Sequence, residues 1–168
     1  MTARRSRSLT VRLCAPVVSL VVLTAASGCL LATPLLAQAM ENDEAVGSLP
    51  LTTNRLFALG MIESGNDDRG VGPAGEVSRY QIHPAVWKAY SPSRHYHDPD
   101  VSLSVARQHW NYLTLYFRQK AGREPNDFDM YVMWNTRFGH YASKGFDPQR
   151  LHPVVQDRAR RFVNLVNR

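Results

Sequence analysis

One long amphipathic segment limits what this chain can fold into more than any other feature. Asp98-Pro99-Asp100 combines a capping side chain, a first-turn proline and a first-turn acid, which together favour the start of a helix. Beyond it, apolar residues recur at spacings of three and four until Gly122, a stop signal. The spacing predicts a helix over residues 101–120 with one buried stripe, formed by Leu103, Ala106, Trp110, Leu113 and Phe117.

The remainder of residues 52–168 is also predicted as helices joined by loops. A first helix begins at a cap among residues 52–54, runs through Ser64 and stops at Gly65. Further helices are predicted over residues 84–90, from residue 126 or 127 to 135, and over residues 153–166, the last with an inward face of Val154, Val155, Ala159, Phe162 and Val166. Loops are predicted over residues 66–78 and 91–98, and between Gly139 and Gly145. The sequence has no internal repeat and no clear period-two alternation, so we predict a mainly α fold with a single helical domain over residues 52–168.

Residues 1–39 have the layout of an export signal. A basic stretch without acids is followed by an apolar run over residues 13–36 and by Ala37-Gln38-Ala39, an A-x-A cleavage site. Cleavage there makes Met40 the first mature residue, leaves residues 40–51 as a flexible lead-in, and predicts a periplasmic or extracellular protein without a membrane span. Two alternatives stay open: residues 26–29 resemble a loose lipobox that would lipidate Cys29, and the apolar run is long enough to be kept as a membrane anchor.

Loss of the leader changes the electrostatic character of the protein. The whole chain carries 20 Lys and Arg against 14 Asp and Glu, a net charge of +6. Four of those arginines lie in residues 1–39 and every acid lies beyond residue 40, so the mature chain has a net charge of +2. That balance argues against a nucleic-acid partner but suits an anionic polymer such as a cell wall. Cys14 and Cys29 both lie in the leader, so no disulfide or thiol chemistry is expected after cleavage.

Glu63 is the candidate catalytic residue on the first helix. At 100° per residue it shares a face with Leu56, Leu59 and Gly60. Most of the remaining circumference is also apolar, occupied by Phe57, Met61 and Ile62, which predicts a helix buried nearly all round. A carboxyl at the C-terminal end of such a helix loses its water and meets the negative end of the helix dipole, and both effects raise its pKa. A carboxyl that stays protonated near neutral pH suits a general acid, whereas the alternative is an exposed Glu at a helix end.

Three segments carry motifs in register: Glu63-Ser64 with Gly75 and Gln81, Asp98-Pro99 with Ser102-Leu103, and residues 134–139. Together they resemble the soluble lytic transglycosylases and goose-type lysozymes of the lysozyme-like superfamily. That family ends a helix with Glu-Ser and continues with Gly-Ala-x-Gly-Leu-Met-Gln; here Glu63-Ser64 is followed by a segment in which Gly75 and Gln81 match. The other two segments are Asp98-Pro99 with Ser102-Leu103, on the family's Asp-Pro … Asn-Ile, and residues 134–139, on its Tyr-Asn-Ala-Gly-Pro-Gly. The resemblance covers residues 52–139.

The resemblance implies a lysozyme-like domain with a substrate cleft, acting on the β-1,4 bond between N-acetylmuramic acid and N-acetylglucosamine in peptidoglycan. Glu63 would be the single catalytic acid and base, and the muramyl residue would be released as a 1,6-anhydro sugar. No cofactor and no metal is implied. The residues expected to contact substrate or line the groove are Ser64, Tyr80, Gln81, Tyr131, Trp134 and Asn135. Aromatic faces suit sugar rings, although we predict that Trp87 and Trp110 belong to the core.

Departures from the family pattern motivate a rival function. Ser78 replaces a glycine of the family pattern, Arg79-Tyr80 replace Leu-Met, and residues 136–138 replace Ala-Gly-Pro. A degenerate peptidoglycan-binding module would keep the groove and lose turnover. The retained Glu, Gln and Asn of the motifs argue against it.

Other acids and histidines provide two further alternatives. Glu76, Asp67 and Asp68 follow the first helix, and a second carboxylate that activates water would make the protein a hydrolytic muramidase. Glu76 is the best candidate by position. His95 and His97 have a superficial likeness to metal ligands, but an exposed loop is the favoured interpretation.

Overall fold

The structure is a computed structural model, and it describes residues 49–168. The predicted signal peptide, the lipobox at Cys29 and most of the predicted lead-in lie outside the described residues. Within the described part the chain is helical, with two isolated β-bridges and no longer strand. The mainly α class is therefore confirmed.

Six α-helices and one 3-10 helix make up the described chain. They are α1 Thr53–Ser64, α2 Pro84–Trp87, α3 Pro99–Ala121, α4 Asp127–Asn135, α5 His140–Ser143, the 3-10 helix Pro148–Arg150, and α6 Pro153–Val166. The predicted positions of α1, α3, α4 and α6 are confirmed. α2 is shorter than predicted because the chain continues as turns after residue 87. α5 is a single helical turn within the stretch predicted as a loop, bounded by Gly139 and Gly145, which both have positive φ.

The helix ends depend on the side chains that the sequence indicates. Thr52 caps α1. The Asp98 carboxylate accepts hydrogen bonds from the backbone N–H groups of residues 100 and 101, at 2.9 and 3.1 Å, and Gly122 ends α3 with a φ of 67°. Asn126 and Asp129 exchange hydrogen bonds in a capping box at the start of α4.

The core lies where α6 packs on α1 and α4, and where α3 packs on α4. The predicted stripe on α3 is buried from residue 106 onward, but Leu103 is only half-buried because Ser102 and Val105 take the buried positions in that part of the helix. Val154 was predicted to face inward on α6 and is exposed instead. It lies about 100° around the helix from Val155, which packs against the core.

α1 is covered on one side only. Ala58, Leu59 and Gly60 are buried, whereas Phe57 and Met61 are exposed, so the prediction of a helix buried nearly all round is wrong. The apolar residues outnumber the positions that α6 and the neighbouring loop can cover.

The last residues of the predicted flexible lead-in are packed onto the domain. The indole Nε1 of Trp110 donates a hydrogen bond of 2.8 Å to the backbone oxygen of Leu49, and Leu51 is buried. Leu49 and Leu51 of the predicted lead-in are thus in contact with the helical domain. Within the described residues, no helix is both long enough and apolar enough to cross a bilayer.

Candidate functional site

An open groove of about 1120 Å³ lies between α1, α3, α4, α6 and the segment over residues 73–90. Its polar lining includes Glu63, Glu76, Gln81, Asn135 and Arg158. These residues come from parts of the chain up to 95 positions apart in sequence, from residue 63 to residue 158. The groove therefore depends on the packing of the whole domain.

Glu63 lies in the last turn of α1 with its carboxyl at the groove. Its side chain is 8% exposed. The hydroxyl of Tyr131 on α4 donates a hydrogen bond of 2.8 Å to Oε1, and the guanidinium of Arg158 on α6 lies 3.7 Å from Oε2. Asn135, one turn beyond Tyr131, lines the same groove and lowers the pKa of the carboxyl. The acid is thus held by residues of two other helices.

Burial raises the pKa of the Glu63 carboxyl above its ordinary value of 4.5. The hydrogen bond from Tyr131 and the charge of Arg158 lower that pKa, and the nearby Glu76 charge raises it, but the loss of water prevails. The expected direction of the shift therefore agrees with the structure. Arg158 was not anticipated from the sequence, because nothing in its surroundings on α6 distinguishes it from the neighbouring arginines.

Gln81 reaches the groove from a small closed loop. Val77 and Ile82 exchange both backbone hydrogen bonds, at 3.0 Å each, and enclose residues 78–81. Ser78 and Gln81 both have positive φ, 66° and 49°. The side-chain amide of Gln81 donates 3.0 Å to the Ser78 backbone oxygen, which fixes its direction. Ser78 thus keeps the left-handed backbone that a glycine adopts most easily.

Two side chains outside this loop hold its backbone, and a third pairs with one of its side chains. The Ser64 hydroxyl donates 2.9 Å to the Arg79 backbone oxygen, and the Trp134 indole Nε1 donates 3.2 Å to that of Tyr80. The Arg79 side chain forms an ion pair with Asp68. Contacts from α1, from α4 and from the preceding loop thus tie Gln81 to Glu63.

The structure revises the predicted contact residues. Tyr131 is fully buried and donates to Glu63, so it orients the acid, as expected, without lining the groove. Tyr80 is buried, and Ser64 uses its hydroxyl to hold the loop, so neither is placed to bind substrate with its side chain. Gln81, Trp134 and Asn135 line the groove as expected. The sequence could not separate these two groups, because residues that support a groove and residues that line it are adjacent in the chain.

Only one of the three candidate second carboxylates lies in the groove. Glu76 lines it and accepts a hydrogen bond of 3.0 Å from the backbone N–H of Ala74. Gly72 packs against both the Glu76 carboxylate and the Gln81 amide, and a Cβ at that position would overlap them. Asp68 is engaged with Arg79, and Asp67 accepts a hydrogen bond from the backbone N–H of residue 69.

The aromatic residues divide between core and groove. Trp87 and Trp110 are fully buried, as predicted, and their indole N–H groups donate to backbone oxygens of Ser93 and Leu49. The groove has aromatic residues that the sequence did not single out: Tyr90, His109, Tyr112 and Phe138. Burial lowers the pKa of His109 to about 4, so this ring is neutral at physiological pH.

The histidines at positions 95 and 97 lie on an exposed loop, as predicted. The His97 ring lies 3.3 Å from the backbone oxygen of Asp68. Among residues 49–168, no group of three or more His, Cys, Asp or Glu side chains is arranged to hold a metal ion.

Comparison with known proteins finds no protein-family model, no curated protein and no solved structure that matches this chain.

Proposed function

We propose that this protein cleaves the β-1,4 bond between N-acetylmuramic acid and N-acetylglucosamine in peptidoglycan, as a lytic transglycosylase with a lysozyme-like domain. The observation that carries the proposal is the environment of Glu63. A carboxyl in a groove, 8% exposed and with a raised pKa, is suited to deliver a proton to a buried glycosidic oxygen.

The first step uses Glu63 as an acid. Its proton goes to the glycosidic oxygen as the bond from that oxygen to the muramyl C1 breaks, and N-acetylglucosamine leaves with a free 4-hydroxyl. The acetamido oxygen of the muramyl residue bonds to C1 from the opposite side. The hydroxyl of Tyr131 holds the carboxyl in place through both steps.

The second step uses the same group as a base. The Glu63 carboxylate takes the proton of the muramyl 6-hydroxyl, whose oxygen bonds to C1 and displaces the acetamido oxygen, forming the 1,6-anhydro ring. Glu63 is protonated again at the end. One carboxyl is sufficient, because the substrate supplies the nucleophile in each step.

The position of Glu76 favours a second candidate, a hydrolytic muramidase. Glu76 lines the same groove as Glu63, and its charge raises the pKa of the Glu63 carboxyl. In that mechanism Glu76 activates a water that attacks C1, and the product carries a reducing end. A third alternative is a wall-binding module without turnover, which would bind glycan in the groove without catalysis by Glu63.

The test is digestion of purified peptidoglycan, followed by turbidity and by mass spectrometry of the products. We expect 1,6-anhydro-muramyl ends, and a rate about 10² to 10⁴-fold lower for Glu63→Gln. Glu124→Gln is the matched control, because it makes the same chemical change on an exposed side chain outside the groove. If the products carry reducing ends and their formation requires Glu76, the protein is a muramidase and not a transglycosylase. If the wild-type protein is inactive but still pellets with sacculi, it is a binding module and neither enzymatic function holds.

A further inference from the structure

A row of aromatic rings leads out of the groove from the residue next to Asn135. Trp134 lies 5.0 Å from His109, His109 lies 6.5 Å from Tyr112, and Tyr112 lies 5.9 Å from Phe138, all measured between ring centroids. All four residues line the groove. The row therefore joins the neighbourhood of Glu63 to the outer surface.

Exposure increases along this row. Trp134 and His109 are half-buried, Tyr112 is 44% exposed and Phe138 is 61% exposed. The Tyr112 and Phe138 rings lie at 26° to one another, and the Tyr116 ring packs against Phe138 with 4.6 Å between the ring centroids. Exposing two large rings to water is unfavourable for a monomer unless a ligand covers them.

We propose that Tyr112 and Phe138 form a stacking platform for a pyranose ring of a glycan that continues beyond the sugars at Glu63. This inference rests on the proposed function for the identity of the ligand. One face of a pyranose is a patch of C–H groups that packs flat against an aromatic ring, while the hydroxyl groups at its edge remain available for hydrogen bonds. The amide groups of Gln81 and Asn135 in the same groove suit the hydroxyl and acetamido groups of the sugars that follow.

Continuity with the groove identifies the occupant. A polymer that places one bond at Glu63 has neighbouring units on both sides, and the row of rings provides an apolar path for those units on one side. Leu115 is exposed on the same helix, at 61%, but lies outside the groove lining. The platform is thus distinguished from ordinary surface apolar residues by its position.

The experiment measures glycan binding separately from cleavage. In the Glu63→Gln background, calorimetry with chitohexaose compares Tyr112→Ala, Phe138→Ala and the control Leu115→Ala, with circular dichroism as the check on folding. We expect each platform variant to weaken binding about tenfold, by analogy with other aromatic stacking sites, and Leu115→Ala to leave it unchanged. Phe138→Trp should restore or strengthen binding, because it keeps a flat ring.

Each other outcome has a defined meaning. Unchanged affinity in both platform variants, or no binding of chitohexaose by the parent, overturns the platform. If wild-type protein still digests peptidoglycan in that case, the proposed function stands without it. Platform-dependent binding by an inactive wild-type protein keeps the platform and overturns the enzyme. Sedimentation tests self-association. If the wild-type protein is a dimer that dissociates on Phe138→Ala while glycan affinity is unchanged, the rings serve self-association and the proposal is overturned.

Discussion

Two buried carboxylates of this domain differ in position, because one lies at the N-terminal end of its helix and the other at the C-terminal end. Asp129 is 1% exposed in the first turn of α4, where the helix dipole favours a negative charge, and it accepts hydrogen bonds from Arg123, Tyr141 and the backbone N–H of Asn126. Glu63 lies in the last turn of α1, where the dipole opposes a negative charge, and its cation is 3.7 Å away. Two carboxyls that are both buried can therefore differ in how far the surrounding groups compensate their negative charge.

The largest effect should come from removing the charge at the compensated site. Asp129→Asn leaves the Arg123 guanidinium without its partner and weakens the capping box, so we expect a loss of about 3 kcal/mol in the free energy of unfolding. Denaturant titration measures this loss. Asp157→Asn, in an exposed pair with Arg161, should change it by about 0.5 kcal/mol or less. If Asp129→Asn loses as little unfolding free energy as Asp157→Asn, the charge of Asp129 is not compensated as described and the contrast with Glu63 fails.

The two tyrosines that serve these carboxylates offer a matched pair. Tyr131→Phe removes the hydrogen bond to Glu63, so we expect cleavage to slow by about tenfold, since a bond to a charged group contributes about 1.5 kcal/mol or more. The pKa of Glu63 should also rise, moving the alkaline limb of the rate profile to higher pH. Tyr141→Phe removes the corresponding bond to Asp129 and should reduce stability while leaving that profile in place. Identical pH profiles for the two variants would show that Tyr131 is only structural.

The pH dependence of stability gives a smaller effect. The pKa of Glu63 is raised on folding, so the folded state binds this proton more tightly than the unfolded chain. Its stabilising contribution is complete below the ordinary value of 4.5 and is lost as the pH rises through the raised pKa. Glu63→Gln should therefore gain thermal stability over wild type at neutral pH and little at about pH 4. Melting curves at both values check this, with Glu124→Gln as the control; a gain that does not depend on pH would rule out the raised pKa as its cause.

The smallest effect is expected at Arg158, which is partly exposed and screened by water. Removing its charge in Arg158→Gln raises the pKa of Glu63 further, so the alkaline limb of the cleavage rate should move to higher pH. Arg161→Gln is the control on the same helix, with an exposed side chain paired to Asp157. A shift toward lower pH would mean that Arg158 acts through some route other than its charge on Glu63.

The sequence predicted those parts of the fold that local signals determine. The caps at Thr52, Asp98 and Asn126 and the stop at Gly122 define helix ends through contacts within a few residues, and these predictions are confirmed. The burial of α1 was predicted wrongly at Phe57, because which part of an apolar surface is covered depends on partners distant in the chain.

The candidate site divides in the same way. Glu63, Gln81 and Asn135 were selected from motifs and lie together at the groove. Arg158, Tyr112 and Phe138 could not be selected, since they reach the groove through the packing of α6, α3 and the segment after α4. Spacing indicates that Tyr80 and Tyr131 lie near the acid but not which side of the groove wall each ring occupies, and both rings are buried outside the groove lining.

The closed loop over residues 78–81 has a consequence for how such a protein can evolve. Its ends are joined by the bonds between Val77 and Ile82, and its backbone is held by Ser64 and Trp134 through carbonyl oxygens that any residue possesses. The closure of the loop is therefore independent of the side chains at those bonds. Substitutions within the loop are limited instead by the positive φ of residues 78 and 81, by the ion pair of Arg79 and by the burial of Tyr80.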